Sequence, residues 1–208
     1  MKTQDLQTIQ TKEALIVAAL DTAMSYKAYR ERVLNHVKSE TSTGPNQTQA
    51  LVNYTKLNDA RMRRLDKTTT ISESAHALFS HYEKKVTWLV LTESWCGDAA
   101  QSLPILNKIA IIAPHLNLKV ALRDEHIDLM KHFLTNTAMA IPKLIAVDNA
   151  SNIVLGTWGP RPSVATQMVA DYKAAHGTLS PEFKEDLQLW YTKDKGLSIV
   201  ADIEALLK

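Results

Sequence analysis

Hydrophobic positions along the chain recur first at helical spacing, then at strand spacing, then at helical spacing again. Over residues 11–38, Leu15, Ala19, Ala23, Tyr26, Val33 and Val37 fall on one face, which predicts one long helix. The polar stretch 39–49, with Gly44-Pro45, ends it. A second helix is predicted over residues 47–66, with Leu51, Tyr54, Leu57 and Leu65 inward and Arg61, Arg63, Arg64 and Lys67 outward. Ser72 or Ser74 caps a third, with Ala75, Leu78, Phe79 and Tyr82 on one side.

The pattern then changes. Residues 86–91 form an apolar run of strand length, and a polar turn leads into Ala99, Leu103, Leu106 and Ala110 at helical spacing. Leu116, Leu118, Val120 and Leu122 alternate as in a half-buried strand. A helix over 125–135 follows, with Ile127, Met130 and Leu134 inward. Next come a strand at 143–147 after Pro142, an Asp148-Asn149 turn and a strand at 153–158. Strand, helix, strand implies a parallel crossover, and the hairpin adds antiparallel strands to the same sheet. Three helices close the chain. One starts at Pro162 or Ser163 and stops at Gly177. One starts at Ser180-Pro181, with Phe183, Leu187 and Trp190 inward, and stops at Lys195-Gly196. The last covers 198–207. The expected class is α/β, divided into an N-terminal helical extension (1–84), a sheet-bearing unit (85–177) and a C-terminal helical addition (178–208).

Composition narrows the function classes. With 208 residues, 45% hydrophobic and 22% charged, the chain is an ordinary globular one. A net charge of +2, from 24 basic and 22 acidic residues, is too balanced for a nucleic-acid binder. No apolar run approaches the roughly 20 residues that span a bilayer. Residues 14–20 are apolar enough for a leader's core, but Asp5, Glu13 and Asp21 frame them and the run continues into an amphipathic pattern. One cysteine excludes a disulfide scaffold and suits a reducing cytoplasm.

That cysteine carries the candidate chemistry. Trp95-Cys96-Gly97-Asp98 lies between the first long strand and its helix. A thiol there meets unpaired N–H groups and the positive end of a helix dipole, both of which favour the thiolate. Asp98 opposes this, since a carboxylate beside the sulfur disfavours a second negative charge. The expectation is a moderately acidified thiol.

A strand, Trp-Cys-Gly-x and a helix, followed by Ala140-Ile141-Pro142 and an apolar strand, resembles the active-site turn and cis-proline loop of thioredoxins over residues 86–175. The nearest resemblance is to bacterial thioredoxin family proteins with a Trp-Cys-Gly-Asp turn and a helical N-terminal extension. The resemblance implies a thioredoxin-like fold with extra helices at both ends. It also implies a cis bond before Pro142, with the Ile141 backbone offered to an extended substrate, and Trp95 shielding the sulfur. Two departures matter. The second cysteine of thioredoxins is Ala99 here, and their buried acid six residues before the first cysteine is Val90. Without a second sulfur no internal disulfide forms.

Three functions follow as expectations. The first is single-thiol exchange at Cys96 with protein or small-molecule disulfides, using a loosely held small thiol such as glutathione or bacillithiol. The second is a non-catalytic binding or adaptor module with an idle thiol. The third is iron–sulfur carriage, which the glutaredoxin Cys-Gly-Phe-Ser turn supports and Cys96-Gly97-Asp98-Ala99 does not match. Trp158 and Arg161, in the turn Trp158-Gly159-Pro160-Arg161-Pro162, are candidates for binding a thiol cofactor, with Arg161 alternatively paired to Asp98. The basic cluster near Arg61 is either a solvated helix end or a patch for an anionic thiol or partner. Neither histidine nor cysteine spacing suggests a metal site, and phosphate-binding glycine motifs are absent.

Overall fold

A computed structural model of the protein describes residues 11–207. Asp5, which helped to argue against a leader, lies outside the described residues. Among those described, the elements are α1 (Lys12–Thr22), β1 (Met24–Ser25), α2 (Tyr26–Lys38), α3 (Gln49–Thr68), α4 (Glu73–Ser80), β2 (Val86–Thr92), α5 (Gly97–Ile112), β3 (Leu116–Leu122), a 3-10 turn (Arg123–Glu125), α6 (Ile127–Lys131), β4 (Lys143–Asp148), β5 (Val154–Trp158), α7 (Ser163–His176), α8 (Pro181–Asp194) and α9 (Leu197–Leu206). One mixed sheet runs β1-β3-β2-β4-β5. β2 and β3 are parallel, with Val86 beside Leu116 and Thr92 beside Leu122, and β4 and β5 are antiparallel additions. β2 is central and buried along almost its whole length, which is why it reads as a continuous apolar run.

The expected first helix is two helices. Ser25 ends the continuity: its hydroxyl accepts the N–H of Ala28 at 3.2 Å as the N-cap of α2. Met24 and Ser25 also pair with Val120 and Lys119, adding an antiparallel edge to the sheet. The inward residues of α1 are Ile16 and Ala19, with Leu15 only partly covered. The helix expected over 125–135 is shorter, and Leu129, Met130 and Phe133 turn inward while Leu134 is exposed.

α3 departs furthest. Its buried face is Thr55, Asn58, Asp59, Met62 and Leu65, whereas Tyr54 and Leu57, expected inside, are about half exposed. Buried polar groups need partners, and here each polar residue has one. Arg30 reaches Asp59 at 3.0 Å and Asp66 at 3.2 Å, and Arg63 reaches Asp59 at 3.0 Å. Thr55 and Asn58 bond to Ser94, in the turn just before Cys96. The N-terminal helices join the sheet's apolar core through Ile16, Ala19, Tyr29, Val33 and Met62, and α3 adds polar contacts to the turn before Cys96.

At the other end of the chain, α8 turns Phe183, Leu187 and Tyr191 inward, with Trp190 only half-buried. The cap residue Lys195 and Gly196 are both left-handed, at φ 54° and 86°. Gly196's left-handed backbone favours glycine, and a Cβ there would also press on the tip of Ile105 in α5.

Candidate active-site turn

Cys96 is itself the N-cap of α5. Its backbone is extended, at φ −77° and ψ 112°, and its sulfur accepts the N–H of Ala99 at 3.4 Å. Sulfur thus occupies the place where serine or aspartate usually satisfies a first-turn N–H. The thiol in turn donates to the carbonyl of Ile141 at 3.2 Å. The peptides Ile141–Pro142 and Gly159–Pro160 are both cis. Ile141 and Pro142 are buried, and the two proline loops touch: a Cβ on Gly159, at φ +107°, would fall 2.2 Å from the Pro142 carbonyl oxygen.

The expected acidification is not found. Cys96 is 8% exposed, and burial pushes its pKa up to about 12, with the Asp98 charge adding to the rise and the N–H groups of Ala99 and Asp98 opposing it. The helix terminus does act on the sulfur, but removing the thiolate from water outweighs it. Burial thus favours the protonated thiol, and the Ile141 carbonyl is placed to accept its hydrogen.

Asp98 turns away from solvent. Its Oδ2 meets Arg161 Nη2 at 2.7 Å and its Oδ1 accepts the Tyr191 hydroxyl at 3.1 Å. Burial raises the carboxyl's pKa, against the pull of Arg161 and Tyr191. Of the two roles expected for Arg161, the pairing with Asp98 is the one present, and the Arg161 Nε is buried without a partner. The indole N–H of Trp158 donates to Asp202 of α9 at 3.0 Å, alongside Ser163. Trp95 is partly buried, with the Arg123 guanidinium 5.1 Å from its ring centroid. Gly97 lines the open side of the turn, near Arg61 and Gln188.

Several residues that complete the turn were missed in sequence. Ser94 Oγ accepts the N–H of Thr43 at 3.0 Å and shares a hydrogen bond with Thr55 Oγ1 at 2.8 Å. The Ser94 N–H donates to Thr43 Oγ1 at 2.8 Å, and the Asn58 amide donates to the Ser94 carbonyl at 2.9 Å. Glu93 is fully buried, its Oε1 accepting the Asp124 N–H at 2.9 Å and its Oε2 unpartnered. Tyr191, which seals Asp98, sits one position beyond the tryptophan expected inside. The residue-type signal available for these was weak: polar residues at i, i+3 and i+4 within α3 are what a solvated face also shows.

Among the described residues no cluster of histidine, cysteine and carboxylate is arranged to hold a metal. No helix among them is long and apolar enough to cross a membrane.

A sequence profile of the family described as Thioredoxin matches residues 44–173. No curated protein matches the chain. In fold it is similar to a protein of unknown function from Pseudomonas aeruginosa, at a TM-score of 0.60 and 16% identity, covering 92% of this chain and 95% of that one. It is also similar to an HIV epitope-scaffold, at a TM-score of 0.60 and 18% identity, covering 92% of this chain and 96% of that one.

Proposed function

The chain belongs to the thioredoxin family, and from that premise we propose that it is a thioredoxin-fold binding module in which Cys96 is a structural thiol. One observation carries this reading. The thiol is 8% exposed and donates to the Ile141 carbonyl at 3.2 Å, so nucleophile and neighbouring backbone acceptor satisfy each other. Exchange needs a thiolate that can meet an incoming disulfide in line. Here burial disfavours the thiolate, the sulfur is covered, and no second cysteine stands by to resolve an adduct. Recognition then falls to the helices that frame the turn, α3 from the N-terminal side and α8 from the C-terminal side.

The second reading, single-thiol exchange, is favoured by the Ala99 N–H at 3.4 Å from the sulfur. In that reaction the Cys96 thiolate attacks one sulfur of a disulfide, forms a mixed disulfide and expels the other half as a thiolate. A second thiol, such as glutathione or bacillithiol, then attacks the mixed disulfide and restores Cys96.

Intact mass after prolonged native incubation with oxidised glutathione separates the two. The binding-module reading expects no adduct on the folded protein and one adduct at Cys96 once the chain is unfolded. A glutathione adduct formed readily under native conditions would transfer the conclusion to exchange.

A further inference from the structure

α3 and α8 stand on either side of the Cys96 turn and leave between them a cavity of about 800 Å³, floored by Gly97, Asp98 and Gln101 of α5. That volume falls within the range of sites for small organic ligands. Its walls come from regular helical stripes. Tyr54, Leu57, Arg61 and Arg64 succeed one another along one side of α3, and Leu187 and Leu189 contribute apolar surface from α8. Tyr54, Leu57 and Leu189 are 48%, 45% and 57% exposed, large apolar side chains facing a concave space rather than a partner.

The charges there are one-sided. The Arg161–Asp98 pair is internally neutral, and Lys184 and Glu185 offset each other. Arg61 and Arg64 remain. Among the described residues neither comes within ion-pair distance of a carboxylate, although Arg30 and Arg63 of the same region both do. Arg61 has one neutral partner, the Asn58 side-chain oxygen at 3.0 Å, which leaves most of its five N–H donors available. It is partly buried, and desolvation together with the nearby Arg64 lowers its pKa, outweighing the opposite pull of Tyr54 and of Asp98, which is already paired with Arg161.

We infer that the cleft between α3 and α8 binds a small organic anion, with its carboxylate, sulfonate or phosphate on Arg61 and Arg64 and its apolar body against Tyr54, Leu57 and Leu189. The inference rests on the binding-module reading for its purpose but not for its chemistry, since no atom of the cleft needs Cys96 to react. An anion supplies the direct ion pair that Arg61 does not make among the described residues, and a guanidinium offers paired donors suited to two oxygens of one group. An aromatic or aliphatic body removes the exposed apolar wall from water. Gly97 puts the bound molecule one residue from the thiol, so occupancy would also cover the turn.

Two fluorescent probes of similar bulk test this, used on Cys96→Ser protein so that thiol chemistry plays no part: anionic anilinonaphthalene sulfonate and neutral N-phenyl-1-naphthylamine. The expected result is saturable binding of the anionic probe at one site. In Arg61→Gln/Arg64→Gln it should weaken by about tenfold or more, with the neutral probe little changed, and raised salt should weaken the anionic probe alone. Leu57→Ser should weaken both probes. Arg64→Gln, at an exposed position, gives the same contrast in smaller degree if the double variant folds poorly by melting. Absence of saturable binding to folded protein, undiminished anionic binding in the arginine variants, or equal loss of both probes in them would each overturn the assignment. None of these outcomes bears on whether glutathione adds to native Cys96, so the two proposals fail separately.

Discussion

Replacing Arg161 with methionine removes the guanidinium and keeps much of the side chain's bulk, which isolates the charge from the packing. Asp98 is then left with the Tyr191 hydroxyl at 3.1 Å in place of that bond and an ion pair at 2.7 Å. Breaking a fully buried pair by deleting one partner costs about 3–5 kcal/mol. The Arg161 side chain keeps 25% exposure and Asp98 keeps 11%, so water tempers the loss and about 2–3 kcal/mol is expected at neutral pH. For a chain of this size that lowers Tm by roughly 5–10 °C. The pH dependence follows from the sign of the shift. Burial already raises the folded-state pKa of Asp98, so its contribution is fully present below the unfolded carboxyl value and is lost as pH rises through the folded one. Without Arg161 the folded value moves higher still, and the gap between variant and wild type should narrow as pH is lowered from about 7.5 to 5. Asp98→Asn in the same background should recover most of the loss at neutral pH. Thermal melts of the three proteins at the two pH values decide it. A gap between Arg161→Met and wild type that stays constant with pH, or is absent at pH 7.5, would refute the assignment of Arg161 as counter-ion to a buried carboxylate.

Three other outcomes are expected. Asn58→Ala strips the buried Ser94 carbonyl of its donor and should cost about 1–3 kcal/mol in urea unfolding; a change within error would mean that water or another donor replaces the amide. Gly159→Ala places a Cβ 2.2 Å from the Pro142 oxygen at φ +107° and should lower soluble yield and Tm more than alanine at exposed Gly177, where a Cβ meets nothing within 4 Å. Ala99→Cys puts a second thiol beside a sulfur that already accepts the backbone N–H of that position, and it should close a disulfide with Cys96 on oxidation, read as loss of two hydrogens in the intact mass. A folded variant that stays a dithiol would count against thioredoxin-like local geometry.

The sheet was legible in sequence because burial on both faces writes a continuous apolar run at β2 and half-burial writes alternation at β3. The position of Cys96 at a strand-to-helix turn was legible for the same reason. What covers it was not. α3 buries Thr55, Asn58 and Asp59, and a polar stripe that is satisfied across the chain by Ser94 and Arg30 looks in sequence like a stripe that is satisfied by water. The break at Ser25 was hidden because the apolar periodicity of α1 carries on into α2 across a two-residue strand. In α8 the inward set was expected as Phe183, Leu187 and Trp190. The helix phase instead selects Tyr191, at i+8 from Phe183, whose hydroxyl reaches Asp98. The turn sequence argued for acidification, whereas the burial of the sulfur against the Ile141 carbonyl, which pushes its pKa up, depends on a loop some 45 residues on.

The pH dependence of Cys96 alkylation by iodoacetamide, on native protein, tests the central claim most directly. The Cys96 thiol, its pKa raised by burial to about 12, is favoured in its neutral form by folding. That contribution to stability is present below the unfolded value and is lost as pH climbs through the interval above it. The expected profile is therefore slow modification near neutrality that is still rising at about pH 10, with unfolding by denaturant restoring the ordinary thiol rate. A plateau reached below about pH 8, with an apparent pKa under the free-cysteine value of about 8.5, would contradict a structural thiol and establish Cys96 as the reactive centre.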